Sequence, residues 1–196
     1  MIQITSPSNP RISRLRELHT TRGRKKSGLF LMEGPHLLQT LLEASLLPQE
    51  VYYEPDLLRR SDEGKELLIR LRELIPEQMI EVSERVIEAL GEAQTSQGVV
   101  SVLPYTLFEP NKLRRNRPAA KRSCLLVLDD LADPGNMGAI LRTALAADVE
   151  SILLTPHCVD CFSPKVVRSA AGAHVALPIE SDMSWEQIES RIEKHC

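Results

Sequence analysis

Apolar and polar positions fall along this chain in blocks whose period keeps changing, and the blocks predict alternating helices and strands. Asn9-Pro10 marks a helix start, a capping side chain followed by proline at the first helical position, and the helix runs to about Leu18. Residues 28–33 carry the run Leu29-Phe30-Leu31-Met32 of a buried strand, which Gly34-Pro35 ends. Pro35 opens a helix with Leu38, Leu41 and Leu42 on one face, and Val51-Tyr52-Tyr53 is a short strand. Ser61-Asp62-Glu63 begins a helix striped by Leu67, Leu68, Leu71, Leu74 and Ile75. Residues 79–82 and 98–103 read as strands, separated by a short helix that Ser83 caps and that reaches Leu90. Residues 104–123 break the pattern, because Pro104, Pro110 and Pro118 stand among cations with little apolar period. Residues 124–131 then form an apolar strand ending in acids, as in a buried parallel sheet. A helix from about Asn136 to Ala147, a strand at 151–154, a short helix from Ser163-Pro164 through Arg168 and a strand at 175–179 follow. Ser184 with Gln187 forms a capping box for the last helix. The fold class is α/β, organised as an N-terminal domain at 1–103, a basic linker at 104–123 and a second α/β unit at 124–196.

Composition adds little by itself: 196 residues, 42% hydrophobic and 26% charged, are ordinary for a folded chain. No apolar run reaches the ~20 residues of a membrane span, and the N-terminus lacks a secretory pattern, so a cytoplasmic location is expected. The net charge of -3 speaks against a nucleic-acid binder, but its distribution does not. Arg11, Arg14, Arg16, Arg22, Arg24, Lys25 and Lys26 face only Glu17 within residues 11–26, and Lys112, Arg114, Arg115, Arg117, Lys121 and Arg122 face no acid within 111–122. Cys158 and Cys161 form a C-x-x-C without a second ligand pair, so no metal site is expected.

The most specific stretch is the turn Asp133-Pro134-Gly135-Asn136 and the helix it opens. Met137, Ile140, Leu141, Ala144 and Leu145 make the buried stripe of that helix, and Arg142 falls off it. Gly138, four residues earlier, leaves room for the guanidinium to lie back toward the Asn136 turn, where a helix start exposes N–H groups and positive dipole. A planar guanidinium beside such a turn suits a phosphate.

This stretch, Leu128-Asp129 followed by Asp133-Pro134-Gly135-Asn136-Met137-Gly138-Ala139-Ile140 and Arg142-Thr143-Ala144, closely resembles the first signature motif of the SpoU/TrmH-type RNA ribose methyltransferases of the knotted SPOUT class. Ser163-Pro164-Lys165-Val166-Val167-Arg168 with Gly172-Ala173 resembles the segment that follows that motif, and Phe30 to Glu33-Gly34 and Ser96-Gln97-Gly98-Val99 resemble landmarks of the family's substrate-binding domain. The resemblance implies a ribosomal-protein-like α/β domain that binds RNA, then the first half of a SPOUT methyltransferase domain. It implies transfer of a methyl group from S-adenosylmethionine to a ribose 2′-hydroxyl of ribosomal or transfer RNA. Asn136 and Arg142 match the family's catalytic Asn and Arg, and Arg22, Arg24, Lys25, Lys26, Glu33, Lys165 and Arg168 become candidate RNA contacts.

Nothing after Ala173 resembles the two further motifs that form the family's cofactor-binding knot. The expectation is therefore a chain that carries the substrate side of the site without the cofactor side, and without the knot region through which the family forms homodimers. Two alternatives stand beside the enzyme: a non-catalytic RNA-binding remnant of the family, and an unrelated α/β protein that binds a nucleotide or phosphate.

Overall fold

Strands rich in Val, Leu, Tyr and Phe build two separate sheets, one in each of two units, Met1–Tyr105 and Thr106–Cys196. The computed structural model describes residues 3–93, 95–116 and 124–194, with backbone alone for 115 and 116.

In the first unit the elements run β1 (Gln3–Ile4), α1 (Pro10–Arg16), α2 (Thr21–Ser27), β2 (Leu29–Glu33), α3 (Pro35–Glu43), β3 (Glu50–Tyr53), α4 (Pro55–Leu58), α5 (Asp62–Leu74), β4 (Met79–Val82), α6 (Glu84–Leu90) and β5 (Val99–Pro104). The sheet order is β1-β4-β3-β5-β2. β1, β4 and β3 are parallel, whereas β5 runs antiparallel to both β3 and β2. β5 is buried from Val99 to Leu103 because it has a strand on each side and apolar layers above and below. Ile12, Leu15, Tyr52, Ile80, Val86, Ile87 and Val100 share one core beneath it.

The first basic cluster divides here into buried and exposed charges. A 3-10 turn at Glu17–His19 joins α1 to α2, and Gly23 packs so closely on it that a Cβ would lie 2.0 Å from the Glu17 carbonyl oxygen. Thr20 caps α2 by accepting from the Gly23 N–H at 3.1 Å. Arg24, only 1% exposed, turns inward. Its guanidinium donates to the Leu18 and His19 carbonyls at 2.8 and 2.9 Å and to Thr21 Oγ1 at 3.1 Å. Arg24 thus satisfies carbonyls left open by the turn and holds the corner together. It was expected at an RNA surface, and the structure places it in the interior instead. Arg22, Lys25 and Lys26 are exposed on the same helix.

The second unit contains α7 (Pro110–Asn116), β6 (Leu125–Leu128), α8 (Pro134–Ala146), β7 (Ser151–Leu154), α9 (Pro164–Ser169), β8 (Ile179–Glu180) and α10 (Trp185–Glu193). Its sheet is β6-β7-β8, all parallel, with Leu126 beside Ile152 and Ile152 beside Ile179. β7 is fully buried, whereas all four residues of β6 are half-buried. Met137, Leu141, Ala144, Ile152, Leu154, Val166, Ala170 and Leu177 form the core.

Several expectations are corrected. Part of the stretch read as linker is folded: Tyr105–Phe108 is a 3-10 turn and α7 a helix. Arg114 of α7 pairs with Glu180 and donates to Ser151 Oγ at 3.1 Å. Arg117, Lys121 and Arg122 lie outside the described residues. The strand expected at 175–179 shrinks to β8, because Gly172, at φ 88, starts a 3-10 turn over Ala173–Val175 and Pro178 has no N–H for a ladder. β1 and α2 carried too little apolar pattern to be read. Leu74 is 51% exposed rather than on the buried stripe of α5. The Ser184–Gln187 capping box forms as expected.

Replacing Arg24 with alanine leaves the Leu18 and His19 carbonyls buried without a donor. The expected loss is about 2–4 kcal/mol in urea unfolding, against less than about 0.5 kcal/mol for Arg22→Ala on the same helix.

Candidate functional site

The C-terminal ends of the parallel strands β6 and β7, the place where open parallel sheets hold ligands, carry the loops that lead to α8 and α9, the helices bearing the sequence-predicted residues of the second unit. β6 delivers the chain to Asp129 and Asp130, and α8 begins at Pro134, two residues earlier than the sequence indicated. Asp133 is its N-cap, and its carboxylate accepts from the Asn136 N–H at 2.7 Å. That bond, and a proline at the first helical position, leave the Gly135 N–H as the open donor of the turn among the described residues.

Asn136 and Arg142 are both exposed on α8. Among the described residues the guanidinium of Arg142 has no hydrogen bond or ion pair, and neither has the side-chain amide of Asn136. An unpaired amide in the first turn of α8 and an unpaired cation further along the same helix are groups available to a ligand rather than to the fold. The packing around Gly138 differs from the expected one. Gly138 is buried against α9, and a Cβ there would lie 1.8 Å from Ser169 Oγ and 2.6 Å from Ser169 Cβ. Glycine at 138 therefore serves the α8–α9 crossing, and the space above it is not open to the Arg142 side chain. Lys165 and Arg168 are exposed on α9, so the crossing of two helices brings these four polar residues onto one packed pair. The stripe of α8 is tighter than the pattern implied: Met137, Leu141 and Ala144 are buried, and Ile140 and Leu145 half-buried.

Sequence reasoning missed the side chains that hold this loop. Thr155, just beyond β7, is buried. Its hydroxyl donates to Asp129 Oδ1 at 2.8 Å and accepts from the Asp130 N–H at 3.1 Å. Asp130 has φ 50, a left-handed conformation that costs an aspartate about 1–2 kcal/mol. Cys158 Sγ donates to the Leu128 carbonyl at 3.3 Å, and Val159 N–H to Leu131 O at 2.8 Å. Thr155 follows an apolar strand without any local pattern, so no period or spacing marks it.

Cys161 is buried, and burial pushes its thiol up to about 12, which keeps it protonated and unreactive. The His174 ring lies tilted against Phe162 at 5.5 Å between centroids and donates from Nε2 to the Cys161 carbonyl at 2.7 Å, while its buried Nδ1 has no partner among the described residues. Burial lowers its pKa to about 4, against a smaller upward influence of Asp160. Among the described residues no group of three or more His, Cys, Asp or Glu could hold a metal ion.

In the first unit, Glu33 at the end of β2 accepts from the Glu92 and Ala93 N–H groups at 3.0 and 3.2 Å. A Cβ on Gly91 would come within 2.5 Å of Glu33 Oε1. The carboxylate thus fastens the segment after α6, and it is a latch of the fold rather than the expected RNA contact.

Comparison with known proteins agrees with this two-unit arrangement. Residues 9–101 match the MRM3-like substrate binding domain and residues 123–195 the SpoU rRNA Methylase family. The chain is 39% identical over 175 residues to an uncharacterized tRNA/rRNA methyltransferase of Synechocystis, covering 89% of this chain and 60% of that protein. It is 30% identical over 179 residues to the 23S rRNA (guanosine(2553)-2′-O)-methyltransferase RlmP of Bacillus subtilis, covering 91% of this chain and 64% of that one. A crystal structure of an RNA 2′-O ribose methyltransferase superposes with a TM-score of 0.76 at 28% identity, over 99% of this chain and 70% of that one. An AdoMet-bound rRNA methyltransferase from Sinorhizobium meliloti gives 0.76 at 26% identity, over 97% and 68%. The fold and the family matches thus give a SpoU-type α/β unit that follows a substrate-binding-type unit in sequence. The first part of the chain thus matches the MRM3-like substrate binding domain and the second part the SpoU rRNA Methylase family, and the chain spans about three fifths of the length of the two curated relatives named here.

Two measurements check the packing of the second unit. Gly138→Ala is expected to cost about 1–3 kcal/mol by overpacking, and Ser169→Gly in that background to recover part of the loss, as a double-mutant cycle in urea will show. For His174, the folded pKa near 4 lies below the unfolded 6.5, so the unfolded chain binds the extra proton between these values. Its contribution is intact above pH 6.5 and is lost as pH falls toward 4, by about 3 kcal/mol in full. Unfolding at pH 7.5, 6 and 5 tests this, and His174→Gln should flatten that part of the slope.

Proposed function

We propose that this chain is the RNA-facing portion of an S-adenosylmethionine-dependent ribose 2′-O-methyltransferase acting on ribosomal or transfer RNA. The observation that carries the reading is the exposed, unpaired Arg142 guanidinium on the helix that opens at the strand ends. The guanidinium stays protonated and cannot act as a base. Its role is to hold an RNA phosphate beside the reacting ribose and to stabilise negative charge on the 2′-oxygen. The Asn136 amide and the Gly135 N–H orient the sugar. Lys165 and Arg168 contact the RNA backbone near this site, and Arg22, Lys25 and Lys26 do so from the first unit. Arg24 and Glu33 serve the fold.

S-adenosylmethionine supplies the methyl group in this reading. The groups at the strand ends here, Asp129, Asp130 and Asn136, are exposed and polar, as is Arg142 further along α8. They suit ribose and phosphate and do not by themselves make the largely apolar enclosure that an adenosine requires. They fit the RNA and not the cofactor. A cytoplasmic location belongs to the same reading. No helix among the described residues is long and apolar enough to cross a membrane.

The second reading, an RNA-binding chain without catalysis, is favoured by that same polar character of the strand ends. Tritium transfer from labelled S-adenosylmethionine to ribosomal RNA separates the two. The enzyme reading expects incorporation into the 2′-O position and a loss on the order of 100-fold in Arg142→Ala, with RNA affinity lowered no more than about threefold, because many cations share that affinity. RNA binding with neither incorporation nor cofactor binding supports the second reading. Full activity in Arg142→Ala removes the role assigned to Arg142.

A further inference from the structure

The segment between β6 and α8 is held at both ends by hydroxyls from the same stretch of chain, the one that runs from the end of β7 to the end of α9. At the entry, Thr155 Oγ1 accepts from Asp130 N at 3.1 Å and donates to Asp129 Oδ1 at 2.8 Å. At the exit, Ser169 Oγ approaches the Pro134 carbonyl at 3.2 Å, with the Val166 carbonyl of its own helix also at 3.2 Å. Pro134 is the first residue of α8, and Ser169 is also the residue that lies against Gly138 one turn further on.

Neither hydroxyl is required to fill the core. Valine would occupy the Thr155 site, and alanine the Ser169 site, with little change of volume. What each hydroxyl adds is a fixed position for a backbone group. Asp130 sits at φ 50, away from the conformation an aspartate prefers, and its N–H is satisfied by Thr155. Loss of that acceptor favours relaxation of the peptide toward negative φ, which would redirect the chain entering α8. Ser169 has one proton, and giving it to Pro134 O ties the first turn of α8 to α9. The tie stops the first turn from sliding along the glycine-lined crossing.

We propose that Thr155 and Ser169 are positioning residues for the phosphate- and ribose-facing end of α8. They touch no substrate. They fix the frame on which Asn136 and Arg142 are displayed, so that the β7–α9 segment sets the geometry of a site on the preceding helix. The proposal rests on the assignment of Arg142 as a phosphate ligand.

The test is a titration of the chain with inorganic phosphate, read at the Arg142 side-chain N–H resonance, beside the thermal midpoint of each variant. The unaltered chain is expected to show a saturable shift at Arg142. Thr155→Val and Ser169→Ala should each weaken phosphate about tenfold at Arg142, the worth of one or two hydrogen bonds in placing a ligand group. Thr155→Ser, which keeps the hydroxyl, should restore it. The shifts at Arg22 and Lys25 in the first unit should not change. A lowered midpoint with unchanged phosphate affinity at Arg142 makes the two hydroxyls structural only and overturns the proposal. Absence of any shift at Arg142 in the unaltered chain overturns the phosphate assignment itself, and the positioning role with it.

Discussion

The second unit depends on the closeness with which α8 and α9 cross. At Gly138 the backbone of one helix lies against Ser169 of the other, with no room for a methyl group between them. A helix backbone approaches its neighbour this closely only where it carries no side chain at the contact. The consequence reaches beyond packing. With the helices this close, Met137 and Leu141 face Val166 and Ala170 in one dry core, and the polar residues of both helices are forced to the outside. Asn136, Arg142, Lys165 and Arg168 are exposed for that reason: the interior of the crossing cannot admit them.

The positive charge of the chain is of two kinds, which only the structure separates. Arg24 and Arg114 stand in basic runs, yet one caps carbonyls inside the first unit and the other is engaged by Glu180 and Ser151. Arg22, Lys25, Lys26, Arg142, Lys165 and Arg168 remain exposed. A buried guanidinium is retained where several carbonyls converge on it, because its fixed fork of donors meets them without leaving the charge unpaired.

Elements with their own local signal were legible from sequence. Asn9-Pro10, Gly34-Pro35, Ser163-Pro164 and Ser184 with Gln187 each start a helix through groups within four residues of one another. The catalytic candidates were legible because they lie on one strongly patterned strand-turn-helix. What the sequence did not reveal is held by distant partners. α2 exists because Arg24 reaches the turn before it, α7 packs through a pair with Glu180, and the loop after β6 is shaped by Thr155. No periodicity records such contacts, since each depends on where another segment ends up. The misjudged strand at 175–179 has the opposite cause: an apolar run satisfied the pattern, but Pro178 and the turn at Gly172 decided the backbone.

The interleaved strand order of the first unit bears on how the chain acquires its structure. β2 pairs only with β5, so Leu29 has no ladder partner until Pro104 has been made, and β1 waits likewise for β4. Nearly the whole of that unit must leave the ribosome before its sheet can close. The second unit pairs Leu125 with Ser151 and Ile152 with Ile179, much shorter loops to form. The later-synthesised half therefore has the lower entropic barrier, and the first half, exposing unpaired β2 and α3 for longest, is where a nascent chain of this kind has most need of a chaperone.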